Sequence, residues 1–552
     1  MGKYKNFWIL LLILIIATFL RLYQLKTIPP GLYPDEAMNG NNALEALRTG
    51  DFKVFYPENN GREGLLINIQ ALFLKFFGVN EPWVLRLPSA IFGILTVLGI
   101  YFLGKELFSE DYEIRNQYES TKTNDSLSYI RKKFVFRSEA IGLLAAFFLA
   151  TSFWHINFSR IGFRAIMAPF FLVWSVFFLL KAFRSRHSTF YVLLSTFSGI
   201  LFGLGFYTYI AYRATPLLIF AVIFYYWRKS RREGSQKKLL LSIFYFLFSA
   251  FIVALPIGIY FLKQPADFLG RTSQISIFSS QTPFKDLGLN ILKTAGMFNV
   301  RGDWNWRHNY SGRPELFWPV GILFLLGVWL CVSYLWKSFR LRAAMRPSGH
   351  GFFALAEKSG AESPAKSRAG TFSGSANENF SILLLFVWFI LATIPVVVSN
   401  ESLPHALRSI LTVPPVFILA ALGGIKLYAF LKKYVRQYWL IPATIVFLSL
   451  LVFEAYNTYF VLWANNQNTA DAFSADYVRI AEEINQLPKE LPKYVIVEAN
   501  GVPVRGIPMP AQTVMFITDT YSPENQNAKN IHYILPGQEN EIPRGALVFH
   551  LR

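Results

Sequence analysis

Residues 239 to 262 read LLLSIFYFLFSAFIVALPIGIYFL, a run of 24 residues without a charged side chain. A helix of about 20 apolar residues is long enough to cross the roughly 30 Å hydrocarbon core of a bilayer. The stretch therefore predicts a membrane-spanning helix, which Pro256 is expected to kink.

Ten further apolar runs occur along the 552 residues, starting near residues 7, 83, 139, 162, 189, 213, 316, 380, 409 and 438. With 53% hydrophobic, 17% aromatic and only 16% charged residues, the chain is more apolar than a soluble protein of this size. The first run, after Lys3 and Lys5, resembles a signal peptide, but no small-residue cleavage pattern follows it, and we expect it to be retained. The sequence thus predicts a polytopic α-helical membrane protein with about eleven transmembrane helices.

Basic residues show which connections face the cytoplasm. The formal charge is +20, yet Lys and Arg cluster between apolar runs rather than on one polar domain, which argues against a nucleic-acid partner. Every second connection is basic, which predicts a cytoplasmic N-terminus in a plasma membrane. The outward connections are then residues 27 to 82, 155 to 161, 209 to 213, 263 to 315, 400 to 408 and everything after about residue 462.

The chain changes character near residue 463. Residues 1 to 462 form the predicted transmembrane domain, with flexible polar linkers at 110 to 130 and 341 to 379 on the cytoplasmic side. Residues 463 to 552 predict a small extracytoplasmic α/β domain. Its expected elements are a helix at 477 to 487 and strands at 494 to 498, 513 to 518, 531 to 535 and 546 to 551.

The first outward loop, 27 to 82, carries two adjacent acids in Pro34-Asp35-Glu36-Ala37. A helix from Glu36 to Arg48 is predicted, with Asp35 as N-cap and a stop near Gly50. A structural purpose alone would explain the acids. Their position after a span, and before an apolar surface helix at 65 to 77, instead favours action on the reactive head of a lipid-embedded molecule.

Five cations lie in the outward turns, although most basic residues lie in the cytoplasmic connections. Each could reach a lipid headgroup by snorkelling. Together they favour recognition of a phosphorylated lipid, because the planar guanidinium matches phosphate oxygens. The five candidate phosphate contacts are Arg160, Arg164, Arg213, His405 and Arg408.

Aromatic residues in the outward segments have two interpretations. Tyr209 and Tyr212 lie in one short turn, and Trp304 and Trp306 lie in the 263 to 315 loop beside Asp303, Asn305 and Arg307. They could form an interfacial aromatic belt, or they could pack against a sugar ring.

Other chemistries find little support in the sequence. It contains no phosphate-cradling Gly-rich loop, no His-Glu-x-x-His motif and no paired cysteines, since Cys331 is the single cysteine. Soluble nucleotides are therefore not expected as substrates. A divalent metal ion is left open, without an indication of its ligands.

From Arg21 to Phe108 the chain resembles the GT-C superfamily of membrane glycosyltransferases, in particular the group of protein O-mannosyltransferases and lipid A aminoarabinose transferase. The likeness rests on the order of a first span, Pro34-Asp35-Glu36-Ala37, Thr49-Gly50-Asp51, Phe76-Phe77-Gly78 and Leu85-Arg86-Leu87-Pro88-Ser89-Ala90. It continues through Tyr101-Phe102-Leu103-Gly104-Lys105-Glu106-Leu107-Phe108, and more weakly through Ser159-Arg160 and Tyr212-Arg213.

The resemblance implies transfer of a sugar from a polyprenyl phosphate to an acceptor hydroxyl, with inversion. Asp35 matches the family's acid in the first outward loop and would be the general base. Glu36 would orient the acceptor or share the site, and cations would stabilise the departing phosphate.

Two departures from the family pattern concern the second acid. Arg62-Glu63-Gly64-Leu65 stands where the aminoarabinose transferase group has Lys-Pro-Pro, and the run from Arg160 to Ala165 lacks the second aspartate of that group. If another acid is needed, Glu36 or Glu63 is the candidate, and Glu63 could contact the sugar or acceptor.

The expected partners are a polyprenyl-phosphate sugar, a lipid, protein or glycan acceptor, and the surrounding membrane lipids. A transporter or lipid flippase is the main alternative, and it predicts ionisable residues deep within the spans. A non-enzymatic envelope assembly protein is the third, and it predicts that Asp35 is dispensable.

Overall fold

A computed structural model of the chain describes residues 2–109, 138–185, 187–274, 276–279, 281–344, 365–400 and 403–552. Within them a helical membrane domain precedes a small domain built on a parallel sheet, which confirms the predicted fold class. The predicted linker at 110–130 and the central part of the 341–379 linker, residues 345–364, lie outside the described residues.

The helices of the membrane domain follow the apolar runs. In chain order they are α1 (Gly2–Leu22), α2 (Pro34–Thr49), α3 (Leu65–Phe77), α4 (Pro82–Leu107), α5 (Ser138–Ala150), α6 (Phe153–Arg160), α7 (Met167–Arg184), α8 (Ser188–Gly205), α9 (Pro216–Glu233), α10 (Gln236–Lys263), α11 (Pro265–Gln274), α12 (Pro283–Gly296), α13 (Trp318–Ala344), α14 (Ala365–Val397), α15 (Val413–Leu431) and α16 (Gln437–Tyr456). Nine described helices (α1, α4, α7, α9, α10 and α13 to α16) are each long and apolar enough to cross a membrane.

Two predicted spans are less regular, because α5 and α6 meet at 61° and the apolar part of α8, Thr189–Gly205, is short. Contacts between loops bear on whether each of them crosses. The Glu63 carboxylate, before α4, lies 2.7 Å from Nε of Arg164, after α6, and 3.9 Å from Nη2 of Arg213, after α8. These three connections can meet on one side only if α5 and α6 together cross once and α8 crosses back. By length and composition the described residues contain nine helices that could cross a membrane, or ten if α5 and α6 form one span, so the eleven crossings stay a prediction. We call the side on which these three connections meet the loop face.

The predicted 341–379 linker is helical at both of its ends. α13 continues to Ala344 and α14 already begins at Ala365, so residues 365–379 are helical rather than a flexible loop. Once the apolar part of a helix is fixed by packing, adding a residue at its end gains one hydrogen bond and avoids a new nucleation step.

The helix after the first span starts earlier than predicted. α2 begins at Pro34, and Tyr33 is its N-cap residue, so Asp35 is the second helical residue and not the N-cap. Proline suits the first helical position because its φ is already helical and its missing N–H would have no partner there. The predicted stop is confirmed, since Gly50 follows α2 with φ 75°.

Two short strands, β1 (Phe55–Tyr56) and β2 (Arg62–Glu63), pair antiparallel between α2 and α3. α3 confirms the predicted helix at 65 to 77. It buries Leu66, Ala71 and Leu74 and leaves Leu72 and Phe76 largely exposed, at 59% and 82%. This exposed apolar side on the loop face suits an interfacial helix.

The C-terminal domain comprises α17 (Gln467–Ala472), α18 (Ala475–Gln486), β3 (Lys493–Val497), β4 (Pro503–Val504), β5 (Ile507–Pro508), α19 (Ala511–Ile517), α20 (Pro523–Lys529), β6 (Ile531–Ile534) and β7 (Leu547–Leu551). β3 lies between β6 and β7, parallel to both. The predicted helix and three of the predicted strands are confirmed.

The predicted strand at 513 to 518 is wrong, because α19 occupies this segment. Its β-branched and aromatic residues suit a strand locally, but tertiary packing overrides a weak local preference. Thr513, Val514 and Phe516 are all fully buried. As a helix the segment places them between the sheet and α2.

The C-terminal domain docks on α2 through α19. Nδ2 of Asn41 donates to Oε1 of Gln512 at 2.9 Å, and the Thr513 hydroxyl donates to the carbonyl of Leu32 at 2.9 Å. Both contacts are buried, so this domain forms one wall above the start of α2.

Gly40→Ala is expected to destabilise this contact. A methyl group at Gly40 would lie 2.5 Å from the Phe516 ring and 2.8 Å from Leu85, and overpacking of this kind costs roughly 1–3 kcal/mol. Thermal unfolding in detergent should show a lower Tm. Gly258→Ala is the matched control, because a Cβ there meets nothing within 4 Å, and an equal loss in both variants would contradict the proposed packing.

Candidate functional site on the loop face

Asp35 lies at the start of α2, half-buried, beside the turn between β1 and β2. Asn59, Asn60 and Gly61 have φ of 53°, 61° and 80°, a left-handed run that Asn and Gly tolerate. The turn directs Nδ2 of Asn59 to a hydrogen bond with Oδ1 of Asp35. A backbone feature visible in the sequence as Asn-Asn-Gly thus orients the carboxylate.

Tyr33 and Arg307 complete the surroundings of Asp35. The Arg307 guanidinium lies 3.9 Å from the centre of the Tyr33 ring, and the Tyr33 hydroxyl interacts with both Arg307 and Asp35. Burial, reinforced by the Asp35 charge, raises the pKa of Tyr33 to about 12. Tyr33 is therefore a neutral hydrogen-bond donor at physiological pH.

Arg62 is a buried cation close to the same carboxylate. Its guanidinium donates to Oδ1 of Asn39 at 2.8 Å and to Oδ1 of Asn42, two neutral amides on α2. Burial lowers its pKa to about 10; the neighbouring Arg164 lowers it too, whereas Asp35 raises it. Arg62 still carries its charge at neutral pH, and its direct hydrogen-bond partners are neutral amides, so an anion that approaches it would be stabilised.

Glu63 holds two of the predicted cations. It is 3% exposed and lies 2.7 Å from Arg164 and 3.9 Å from Arg213. Arg213 also donates to the carbonyl of Phe268 at 2.8 Å and packs on the rings of Phe261 and Phe268. This geometry favours Glu63 as an internal counter-ion that positions Arg164 and Arg213, over a direct sugar or acceptor contact.

Glu36 points away from Asp35 and into the protein. Its side chain is fully buried and accepts hydrogen bonds from Nε of Arg86 and from the backbone N–H of Gly162, each at 3.0 Å. Arg86 in turn donates to the carbonyls of Pro29 and Gly31. The position favours a structural purpose for Glu36, rather than the acceptor orientation expected from the sequence.

Arg160 is also fully buried and bonded to the backbone. It donates to the carbonyls of Leu20, Tyr23 and Ile28 at 3.3, 2.7 and 2.9 Å. These carbonyls lie at and just after the end of α1, where helical partners are missing. Arg160 thus closes the connection from α1 to α2, which does not suit the predicted phosphate contact.

The last two predicted cations belong to the segment before α15. Arg408 is 7% exposed and donates to the hydroxyl of Ser399. His405 lies with Nδ1 3.7 Å from Oδ2 of Asp303 and stacks on His308. Neither residue contacts Asp35, and Asp303, His308 and His405 form a cluster with atoms suited to metal coordination.

The predicted aromatic contacts differ in exposure. Trp304 is 57% exposed, and Trp306 is half-buried, with its carbonyl accepting from Nε1 of Trp463. Tyr212 is fully buried among the membrane helices, whereas Tyr209 is half-buried. Trp304, Trp306 and Tyr209 therefore retain a surface for a sugar, and Tyr212 does not.

The site contains four residues that sequence reasoning did not assign: Tyr33, Asn59, Arg62 and Arg307. Arg62 carried a signal, because it stands in the stretch where the aminoarabinose transferase group has a lysine. No feature of the sequence pointed to a contact between Arg307 and Tyr33, because only the tertiary fold brings the loop after α12 next to Tyr33.

Comparison with known proteins places the fold. No protein-family model and no curated protein sequence matches the chain. ArnT from Cupriavidus metallidurans bound to undecaprenyl phosphate matches at TM-score 0.51 and 12% identity, over 98% of this chain and 89% of that chain. ArnT from the same organism in the apo state matches at TM-score 0.51 and 12% identity, over 99% of this chain and 90% of that chain. The archaeal oligosaccharyltransferase AglB from Archaeoglobus fulgidus matches at TM-score 0.46 and 13% identity, over 94% of this chain and 64% of that chain.

At an identity this low, structural similarity establishes the fold only, and function has to be argued from the residues of the site. The ArnT structures match over nearly the whole length of both chains, and the described residues contain the apolar helices of a multi-pass membrane protein. The chain thus shares its fold with the ArnT structures.

Proposed function

We propose that the protein is a membrane glycosyltransferase that moves a sugar from a polyprenyl-phosphate donor to an acceptor hydroxyl at the outer face of the plasma membrane. The observation that carries the proposal is the half-buried Asp35 carboxylate, which has Arg62 and the Tyr33–Arg307 pair as neighbours, with Arg164 next to Arg62. A base beside several arginines suits a reaction whose leaving group is a phosphate.

In the proposed reaction Asp35 removes the proton of the acceptor hydroxyl as its oxygen attacks the anomeric carbon. The bond between that carbon and the phosphate oxygen breaks on the opposite side, so the sugar configuration inverts. The electron pair leaves with the polyprenyl phosphate, and the proton stays on Asp35 until solvent takes it. Asn59 holds the carboxylate in place by a hydrogen bond, and the Tyr33 hydroxyl interacts with it.

The phosphate is assigned to Arg62, Arg164 and Arg307, with Arg213 positioned through Glu63. Arginine suits this task because it presents a planar fork of donors and stays charged. The choice of a polyprenyl phosphate is supported by the ArnT structure bound to undecaprenyl phosphate. Trp304, Trp306 and Tyr209 are the proposed sugar contacts, and the acceptor is a lipid, protein or glycan hydroxyl.

The test uses purified full-length protein in nanodiscs with a panel of polyprenyl-phosphate sugars and candidate acceptors. Release of polyprenyl phosphate together with a glycosylated acceptor is the expected result. Movement of the intact donor between leaflets without sugar transfer would instead indicate a flippase, and neither activity across the panel would count against the proposal.

Arg62→Gln is expected to weaken the binding of polyprenyl phosphate about 10- to 100-fold, because a charge-assisted hydrogen bond contributes about 1.5–3 kcal/mol. Binding can be measured by competition with a fluorescent polyprenyl phosphate. Arg48→Gln is the control, since Arg48 is exposed and pairs with Asp519 at the surface. Equal affinities of Arg62→Gln and the parent would remove Arg62 from the phosphate site.

A further inference from the structure

Three side chains that the proposed reaction does not use converge on the loop face. Asp303 and His308 belong to the loop between α12 and α13, and His405 belongs to the segment between α14 and α15. Oδ2 of Asp303 lies 2.9 Å from Nδ1 of His308 and 3.7 Å from Nδ1 of His405. Each residue offers one ligand atom, and the three atoms all lie within 4.8 Å of one another.

The cluster is buried and held in place by its neighbours. Asp303, His308 and His405 are 2%, 6% and 8% exposed. The backbone N–H of Asn305 donates to Oδ1 of Asp303, and that of Ala406 donates to Oδ2 at 2.9 Å. The carboxylate is therefore oriented from both loops before any ligand arrives, as in the outer shell of metal sites.

The spacing suits a small transition-metal ion. Bonds of about 2.0–2.1 Å in a tetrahedral site place ligand atoms roughly 3.4 Å apart. The two distances from Oδ2, 2.9 and 3.7 Å, lie on either side of that value. Two imidazoles and one carboxylate favour Zn²⁺ over Mg²⁺ or Ca²⁺, which prefer all-oxygen sites.

We propose that Asp303, His308 and His405 bind one Zn²⁺-class divalent cation, with a fourth position left for water or another ligand. Such an ion cross-links the loop after α12 to the segment before α15. Arg307 immediately precedes His308 and lies over Tyr33, so the ion would also fix the cation nearest to that ring. The proposal stands on the cluster alone and does not depend on the proposed glycosyl transfer.

Metal content of the purified full-length protein tests the site. After chelation and removal of the chelator, the protein is exposed to Zn²⁺, washed and analysed by mass spectrometry of the bound metal. The parent should retain about one Zn²⁺ per chain, and Zn²⁺ but not Mg²⁺ should raise its Tm. Asp303→Asn and His405→Gln should each reduce Zn²⁺ affinity at least about tenfold.

His550→Gln is the matched control. His550 lies 2.6 Å from the Glu498 carboxylate on the exposed edge of the C-terminal domain, and among the described residues no third metal-ligating side chain joins this pair. It should keep the zinc content of the parent. A parent protein that retains no zinc and shows no Zn²⁺-dependent shift in Tm would overturn the proposal. So would an Asp303→Asn variant that retains as much zinc as the parent, and the cluster would then be a hydrogen-bonded contact between the two loops. Parent data alone suffice for this decision if the variants misfold.

Discussion

Asp35→Asn should lower the rate of sugar transfer about 10²- to 10⁴-fold, the usual contribution of a general base. The substitution is isosteric, and the amide oxygen of Asn can still accept the hydrogen bond from Nδ2 of Asn59. Removing a negative charge beside Arg62 should leave the binding of polyprenyl phosphate unchanged or make it tighter. Turnover and donor binding measured on the same preparation separate the two effects.

Asp51→Asn provides the comparison for Asp35, because Asp51 lies in the same loop, is exposed and pairs only loosely with Lys53 at 3.6 Å. It should keep the turnover of the parent. Full turnover in Asp35→Asn would assign the base elsewhere. A parallel loss of donor binding and turnover would point instead to a structural purpose for Asp35.

Arg86→Met should produce the largest loss of stability. Arg86 and Glu36 form an ion pair in which both side chains are fully buried, and Arg86 also satisfies the carbonyls of Pro29 and Gly31. Removing one partner leaves a buried carboxylate without its counter-charge, which typically costs about 3–5 kcal/mol. Thermal unfolding followed by size-exclusion fluorescence measures the effect.

The double variant Glu36→Leu with Arg86→Met should recover part of that loss, because a packed apolar pair avoids the desolvation of two charges. Arg479→Met is a surface control on α18 and should change the Tm little. A double variant as unstable as Arg86→Met alone would show that the carbonyl contacts, and not the orphaned carboxylate, dominate the loss.

The prediction from sequence was strongest where the signal is local. Each of the predicted apolar runs lies on a helix of the described residues, because hydropathy over about 20 residues is enough to identify a span. The surface helix at 65 to 77 and the stop at Gly50 were also predicted from adjacent residues. The strand predicted at 513 to 518 was wrong because its burial against α2 comes from residues far away in the chain.

The candidate site shows the same division. Asp35 was identified from a motif, and it lies beside cations on the loop face. The five cations chosen by sequence were outward arginines and a histidine, which look alike in a hydropathy profile. Arg160 bonds carbonyls of the α1–α2 connection, more than 130 residues away, whereas Arg62 faces two amides on α2.

The amino-acid sequence alone therefore determined the class of fold, a helical multi-pass membrane protein with a small C-terminal domain, because apolar length is a local property. The common side of the loops and the acid in the first of them were predicted from charge clusters and a short motif, which are local properties too. Only the tertiary structure decided which charges are free to act. A charged side chain has a structural role where backbone carbonyls or carboxylates distant in the sequence bond to it, and it can bind a ligand where they do not. The packing of the helices decides which of these groups come close to it.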